Sequence, residues 1–311
     1  MQGCEAGMHR GRFSGILVIS LIVLWPQSGF GQKINGALQE KAKSGDINAM
    51  LELAHAYEGG AGTEADAAQE ATWYEHAANA GDPWAQTKLA LLYHQGIGVP
   101  KDSAEGVRWL RRAASSGFRL AQFNLGIAYL HGEGVATNDG EGVHWLREAA
   151  EKGVPDAEGN MGVLYLTGRG VPKDYSEALR WSLLAAKHGS AFAQCNLGTM
   201  YELGDGVEKN PRLAESWYRR AASNDYPEAE YRLGRLLAEK SGGNAIEAAG
   251  WFRRTADHGD RRAQFSIGLM YAKGRGVTQS YEEAAAAFHS DSRQPGGTAI
   301  AFLAPLFCGP C

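Results

Sequence analysis

Cysteine is nearly missing from this chain: four residues in 311, Cys4, Cys195, Cys308 and Cys311. Such a count is no disulfide framework, so the fold has to stand on packing. A surplus of one charge is also missing. Thirty-one Lys and Arg face 35 Asp and Glu, a formal net charge of -4, with no dense basic run. Nucleic acid is therefore not an expected partner. Long hydrophobic runs are absent too. The longest, Ile16 to Trp25 broken only by Ser20, spans about ten to thirteen residues, against roughly 18–20 for a membrane-crossing helix. No stable membrane span is expected. His9, Arg10 and Arg12 precede this run, and Pro26, Gly29 and Gly31 follow it. That is the layout of a secretory signal over residues 1–31, cleaved before Gln32, and it predicts a periplasmic or extracellular protein. Catalytic signatures are missing as well: there is no Ser-x-x-Lys and no Gly-x-Ser-x-Gly. Cys308-Gly309-Pro310-Cys311 looks like a thioredoxin tetrapeptide, but that chemistry needs a helix starting at its first Cys, and this sequence stops at the second. A structural disulfide or an unpaired thiol is expected there instead.

What is present is repetition. Trp73, Trp109, Trp145, Trp181 and Trp217 recur every 36 residues, and Trp251 follows 34 later. Tyr57, Tyr93, Tyr129, Tyr165 and Tyr201 keep the same step, as do Ala49, Ala85, Ala121, Ala157, Ala193 and Ala229, with Ala263 after the shortened interval. A fixed period of this length is the mark of a solenoid. The expected units are 45–80, 81–116, 117–152, 153–188, 189–224, 225–258 and 259–294, with a capping helix over 32–44 and an atypical apolar tail over 295–311.

Each unit reads as two helices. Ala49, Leu53 and Tyr57 make one apolar face of the first. Asp66, Asp102, Asn138, Asp174, Asn210, Asn244 and Ser280 are the expected N-caps of the second, and an acid or Gln follows three residues later in all but one unit. Gly81, Gly117, Gly153, Gly189 and Gly259 stand where a left-handed C-cap belongs. Gly-x-Gly-Val loops join the helices, as at Gly132-Glu133-Gly134-Val135. A phosphate cradle is the other use of such a loop, but no strand precedes it and it recurs as turn punctuation. Gly126, Gly162, Gly198 and Gly234 follow the Leu or Met of the first helix, where close approach of its partner is expected. The Trp and Tyr ladders run in phase with this core, so packing rather than carbohydrate stacking is their expected role.

Ala-x-x-x-Leu-Gly-x-x-Tyr, Gly-x-Gly-Val and Trp-Tyr-x-x-Ala-Ala, clear at Ala193, Leu197-Gly198, Tyr201, Gly204 to Val207, Trp217-Tyr218 and Ala221-Ala222, resemble the Sel-1-like repeat, a relative of the tetratricopeptide repeat. The resemblance covers about residues 45–290. It implies an all-α fold, a right-handed α/α superhelical solenoid of seven helix-turn-helix repeats, with first helices lining the concave side. It also implies adaptor and scaffold roles, often in the bacterial envelope. β-Lactamase activity has been credited to cysteine-rich relatives, whose paired cysteines this chain lacks; a hydrolase is the alternative to the expected non-enzymatic scaffold.

The face of each first helix opposite its core ladder should meet solvent. In units two to five it is apolar: Trp84, Leu91 and His94, then Leu120, Phe123, Ile127 and Leu130, then Val163 and Leu166, then Phe192. His131 follows at the rim. These are the candidate partner-binding residues for a protein or peptide, with Phe123 and Leu130 as central anchors. Burial of the same face between neighbouring helices is the competing explanation. No cofactor and no metal is expected, since the His residues lack ligand spacing on one helix face. The chain is expected to be monomeric or weakly associating.

Overall fold

The computed structural model describes residues 36–59, 66–239 and 244–292. The expected signal at 1–31 and the whole tail at 295–311, with Cys308 and Cys311, lie outside the described residues. Among the described residues the fold is all-α, with 15 helices and no strand. They are α1 (Gly36–Lys43), α2 (Ile47–Gly59), α3 (Ala67–Asn79), α4 (Pro83–Gln95), α5 (Ser103–Ser115), α6 (Arg119–His131), α7 (Asp139–Glu151) and α8 (Pro155–Thr167). There follow α9 (Tyr175–Lys187), α10 (Ala191–Leu203), α11 (Pro211–Ala222), α12 (Pro227–Glu239), α13 (Ala245–Asp257), α14 (Arg261–Lys273) and α15 (Tyr281–Ser292). Even-numbered helices are the first helix of a repeat and odd-numbered ones the second. The chain forms two compact units. Unit 1 holds the described residues up to Ala157 with Arg169–Val171, and unit 2 holds Glu158–Gly168 and those from Pro172 onward.

Within each unit consecutive helices pack in chain order, the arrangement of an α/α solenoid. The deepest layer is the Leu ladder. Leu53, Leu89 and Leu125 in unit 1, and Met161, Leu197 and Leu233 in unit 2, are wholly buried, each worth about 1.5–3 kcal/mol. Ala pairs such as Ala77-Ala78 and Ala221-Ala222 meet them from the second helices. The aromatic ladder is shallower than its phase suggests. Trp109 and Trp181 are buried, but Trp73, Trp145, Trp217 and Trp251 are half-exposed, and the fully buried position is the next one, filled by Tyr74, Leu146 and Tyr218. Helix α1 buries Ala42.

The second helices start as their caps require. Asp66 accepts from the amides of Ala68 and Gln69, Asp102 from Glu105, Asn138 from Glu141 and Ser280 from Glu283. Asn244 departs from the expectation. Its backbone sits at φ -114°, ψ 32° rather than extended, and its side chain caps nothing. Asp225 takes the left-handed place that Gly fills in the other repeats, at φ 53°, the one non-Gly residue of positive φ among those described.

Two features tie repeat to repeat. The loop glycine Gly134 lies on α5 of the preceding repeat so closely that a Cβ would run into the Ser103 carbonyl. Beside the Ala ladder runs a Gln ladder: Gln86, Gln122 and Gln194 donate from Nε2 to Ala78, Ala114 and Ala186 carbonyls at 3.0, 3.3 and 3.3 Å. These carbonyls belong to the last turn of the preceding second helix, where they also accept from the amides of Gly81, Gly117 and Gly189. Glu158 and Glu230 replace Gln in two repeats. Each is buried and paired with a base, His188 and Arg254 respectively.

Candidate functional site

The proposed partner face divides once side chains are in place. In unit 1, α4 supplies Trp84, Leu91 and His94, and α6 supplies Leu120, Phe123, Ile127, Leu130 and His131. Leu91, Ile127 and Leu130 are only 6%, 7% and 5% exposed, so they are core residues and not accessible anchors. The cause is visible at Leu130. It sits on Gly142 of α7, where an added Cβ would come within 2.6 Å of its Cδ2. Leu91 lines one cleft with Val107 and Leu110 of α5. First helices α4 and α6 also touch each other. A helical wheel assigns a face but not the neighbour that covers it. What remains half-exposed in unit 1 is Trp84, Leu120 and Phe123, with His94 and His131.

Trp84 is held by a polar cluster on the first repeat. Its ring meets Tyr74 edge-on at 5.5 Å, and Lys88 Nζ stands 5.4 Å above it. Lys88 Nζ and the Tyr74 hydroxyl both donate to Glu58, at 3.2 Å each. Burial pushes the Glu58 carboxyl up, but Lys88, His55 and Tyr74 outweigh it and hold it below the usual carboxylate value. Glu70 shares this neighbourhood. It is 6% exposed, where every later repeat has Gly or Ala (Gly106, Gly142, Ala178, Ala214, Ala248, Ala284). Desolvation first, and the Glu58 charge second, push its carboxyl up to about 7.

A small cleft of about 20 Å³, room for roughly one water, lies between the second and third repeats. His94, Ser103, Asn124 and Glu133 line it over an apolar floor that includes Leu91. Ser103 Oγ is 3.2 Å from His94 Nδ1, and Glu133 Oε2 is 3.9 Å from His94 Nε2. Sequence reasoning named His94 but missed Ser103, Asn124 and Glu133, because only the pairing of the loop with the preceding repeat brings them together. His94 and His131 acquire no third ligand: among the described residues no group of three or more His, Cys, Asp or Glu could hold a metal ion.

In unit 2, Val163, Leu166 and Phe192 are half-buried. The Phe192 ring lies on Gly159, 3.0 Å from where its Cβ would be, and Leu166 packs on the cluster of Ala185, Ala193 and Leu197. Cys195 beside them is buried, and desolvation pushes its thiol up to about 12, which makes it inert. Further along, the same face turns ionic. Glu202 accepts from Tyr218 at 2.6 Å and from Arg235, while Arg262 bridges Glu228 and Asp260 at 2.7 Å each and lies over Tyr231.

The Sel1 repeat profile matches seven segments: 47–82, 85–118, 119–154, 155–190, 191–226, 227–260 and 261–286. The chain belongs to the Sel1 repeat family. The first of these Sel1 segments begins where α2 does, at Ile47. Among solved structures the chain is similar to a Sel1 repeat protein from Oxalobacter formigenes, with 32% identity, a TM-score of 0.72, and coverage of 86% of this chain and 78% of that one. It is also similar to c5321, a protective antigen present in uropathogenic Escherichia coli strains. That match has 32% identity and a TM-score of 0.59, covering 87% of this chain and 67% of the other. No curated protein matches. Sel1 repeats are generally protein–protein interaction scaffolds.

Proposed function

We propose that this Sel1 repeat chain is an exported scaffold that holds a protein or peptide partner against α4 and α6 of unit 1. The observation that carries this reading is Phe123, an aromatic left half-exposed on α6 together with Leu120, while Leu125, Ile127 and Leu130 of the same helix are buried. Trp84 and Leu120 extend the apolar surface, and His94 and His131 give it polar edges. Anchors of this type are few and large. Export rests on the basic start and short apolar run within residues 1–31, and the destination is the periplasm or the extracellular space. The scaffold acts as a monomer or weakly associating chain.

The test is cross-linking capture from envelope extract of the source cells, with purified chain and its Phe123→Ser variant as bait. A partner taken by the first and lost by the second supports the reading. Equal capture by both overturns the assignment of the face. Export is tested separately by fusing residues 1–31 to a phosphatase that is active only outside the cytoplasm; an inactive fusion rejects it.

A further inference from the structure

In unit 2 the side of a first helix that meets the next repeat is marked by Gly159 of α8. The atoms nearest a Cβ there belong to Phe192, at 3.0 Å, and Ala193, at 3.5 Å, both on α10, the next first helix. Cys195 holds the same place one repeat on and is 3% exposed. Phe265 of α14 holds it in the last repeat and is 36% exposed, although its ring lies 5.6 Å from that of Phe288. The second helices differ in the same way. Ala249 of α13 is 2% exposed, whereas its counterpart on α15, Ala285, is half-buried. With half-buried Leu269, these side chains leave an apolar face on α14 and α15 that no later described helix covers.

The sequence after α15 carries the residue types that cover such a face in earlier repeats. Ala299 lies 36 residues after Ala263, Leu303 lies 36 after Ile267, and Phe307 lies 36 after Tyr271. Leu303-Ala304 repeats Leu53-Ala54 and Leu89-Ala90, all four of which are buried. Ala299 follows Phe265 by 34 residues, the separation of Ala193 from Gly159. No charged residue occurs between Gln294 and Cys311. The reach is also sufficient. Five residues lead from the end of α13 at Asp257 to Ala263, and six lie between Ser292 and Ala299.

We propose that the chain's own segment 298–307 docks on this face of α14 and α15, in the place of an eighth first helix. Ala299 meets Phe265 as Ala193 meets Gly159. Leu303 lies over Ala285, as Leu197 and Leu179 share one apolar cluster. Pro305 removes a helix hydrogen bond, so the helical part is short, and Phe307 follows the bend. Asp291 and Ser292 replace the Ala pair of earlier second helices, and the half-repeat is not built for a further helix pair to follow. Its task is to close an apolar solenoid end that would otherwise invite a second copy.

The test is amide hydrogen exchange on the full chain, with size-exclusion chromatography beside it. Leu303→Asp is expected to speed exchange in α14 and α15 by about tenfold or more, with α9 to α11 unchanged. Phe265→Asp, on the other side of the contact, is expected to give the same pattern. Leu303→Met keeps the apolar bulk and should keep the protection. Ala301→Asp is off the ladder, at the place Phe265 holds on its own helix, and should change nothing. Equal behaviour of Leu303→Asp and Ala301→Asp, or no change in exchange with Leu303→Asp, overturns the proposal. So does a full chain that runs as a dimer, stays dimeric in Leu303→Asp and becomes monomeric in Phe265→Asp, because the occupant is then a second copy.

Discussion

His188 Nδ1 lies 2.9 Å from the carboxylate of Glu158, which is itself 1% exposed. Glu158 stands on α8 and His188 caps the end of α9, so the two belong to one helix pair of unit 2. Where Glu158 stands, four other repeats use Gln (Gln86, Gln122, Gln194 and Gln264) to donate to a helix-end carbonyl. The imidazole takes over the task of keeping a buried oxygen pair partnered.

Removing the imidazole should therefore be costly, and replacing the buried carboxylate as well should not. His188→Ala is expected to lower stability by roughly 3–5 kcal/mol, the range for stranding a buried charge. Adding Glu158→Gln should recover most of that loss by restoring the side chain found at Gln86, Gln122 and Gln194. Urea denaturation of the two singles and the double gives the coupling. Additive effects would show that the pair is not coupled.

Glu70 should make the first repeat pH-sensitive. Its carboxyl is raised from 4.5 in the unfolded chain to about 7 in the folded one. The folded state then binds the extra proton between these values, so stability from this group is full below pH 4.5, falls as pH rises toward 7, and is flat above. Glu70→Ala, which installs the side chain of later repeats, should stabilise by roughly 1–3 kcal/mol above pH 7 and by little below pH 4.5. Melting curves at pH 4 and pH 8 decide it; an equal change at both places the effect in packing rather than ionisation.

Phe123 and Leu130 lie on one helical face but should respond oppositely to the same substitution. Leu130→Ser opens a hole on Gly142 and should cost about 2–4 kcal/mol. Phe123→Ser should cost under about 1.5 kcal/mol, since its ring is already half in solvent. Thermal melts of the single variants check this. A loss at Phe123 as large as that at Leu130 would make both of them core.

The repeat period, the helix pairs, the caps and the close-approach glycines were legible because each is a local requirement repeated in register. Asn138 and Asp174 had to be caps, and Gly126 had to face a helix: its missing Cβ leaves room for Leu146. The partner face was less legible because solvent access depends on which neighbour covers a side chain. Nothing in the spacing of Leu91, Ile127 and Leu130 distinguishes them from Phe123, although Gly142 on the opposing helix was a sign of what covers Leu130. Trp145 illustrates the same limit. Its phase matched the core, yet it stays half-exposed, with its indole N–H donating to Glu141 at 3.2 Å, while Leu146 takes the interior. Asn244 failed as a cap because a cap needs an extended backbone as well as an acceptor.

The contact of Gly134 with the carbonyl of Ser103 recurs at Gly98 with Ala67 and at Gly276 with Ala245. On the receiving side it uses main chain alone, which every amino acid provides. A copied repeat would thus fit, without a matching substitution, behind a predecessor that offers main chain at this point, although at Gly206 the Tyr175 side chain lies there instead. Such a joint lets the gene lengthen or shorten by whole units, and it leaves outward side chains free to diverge after each duplication.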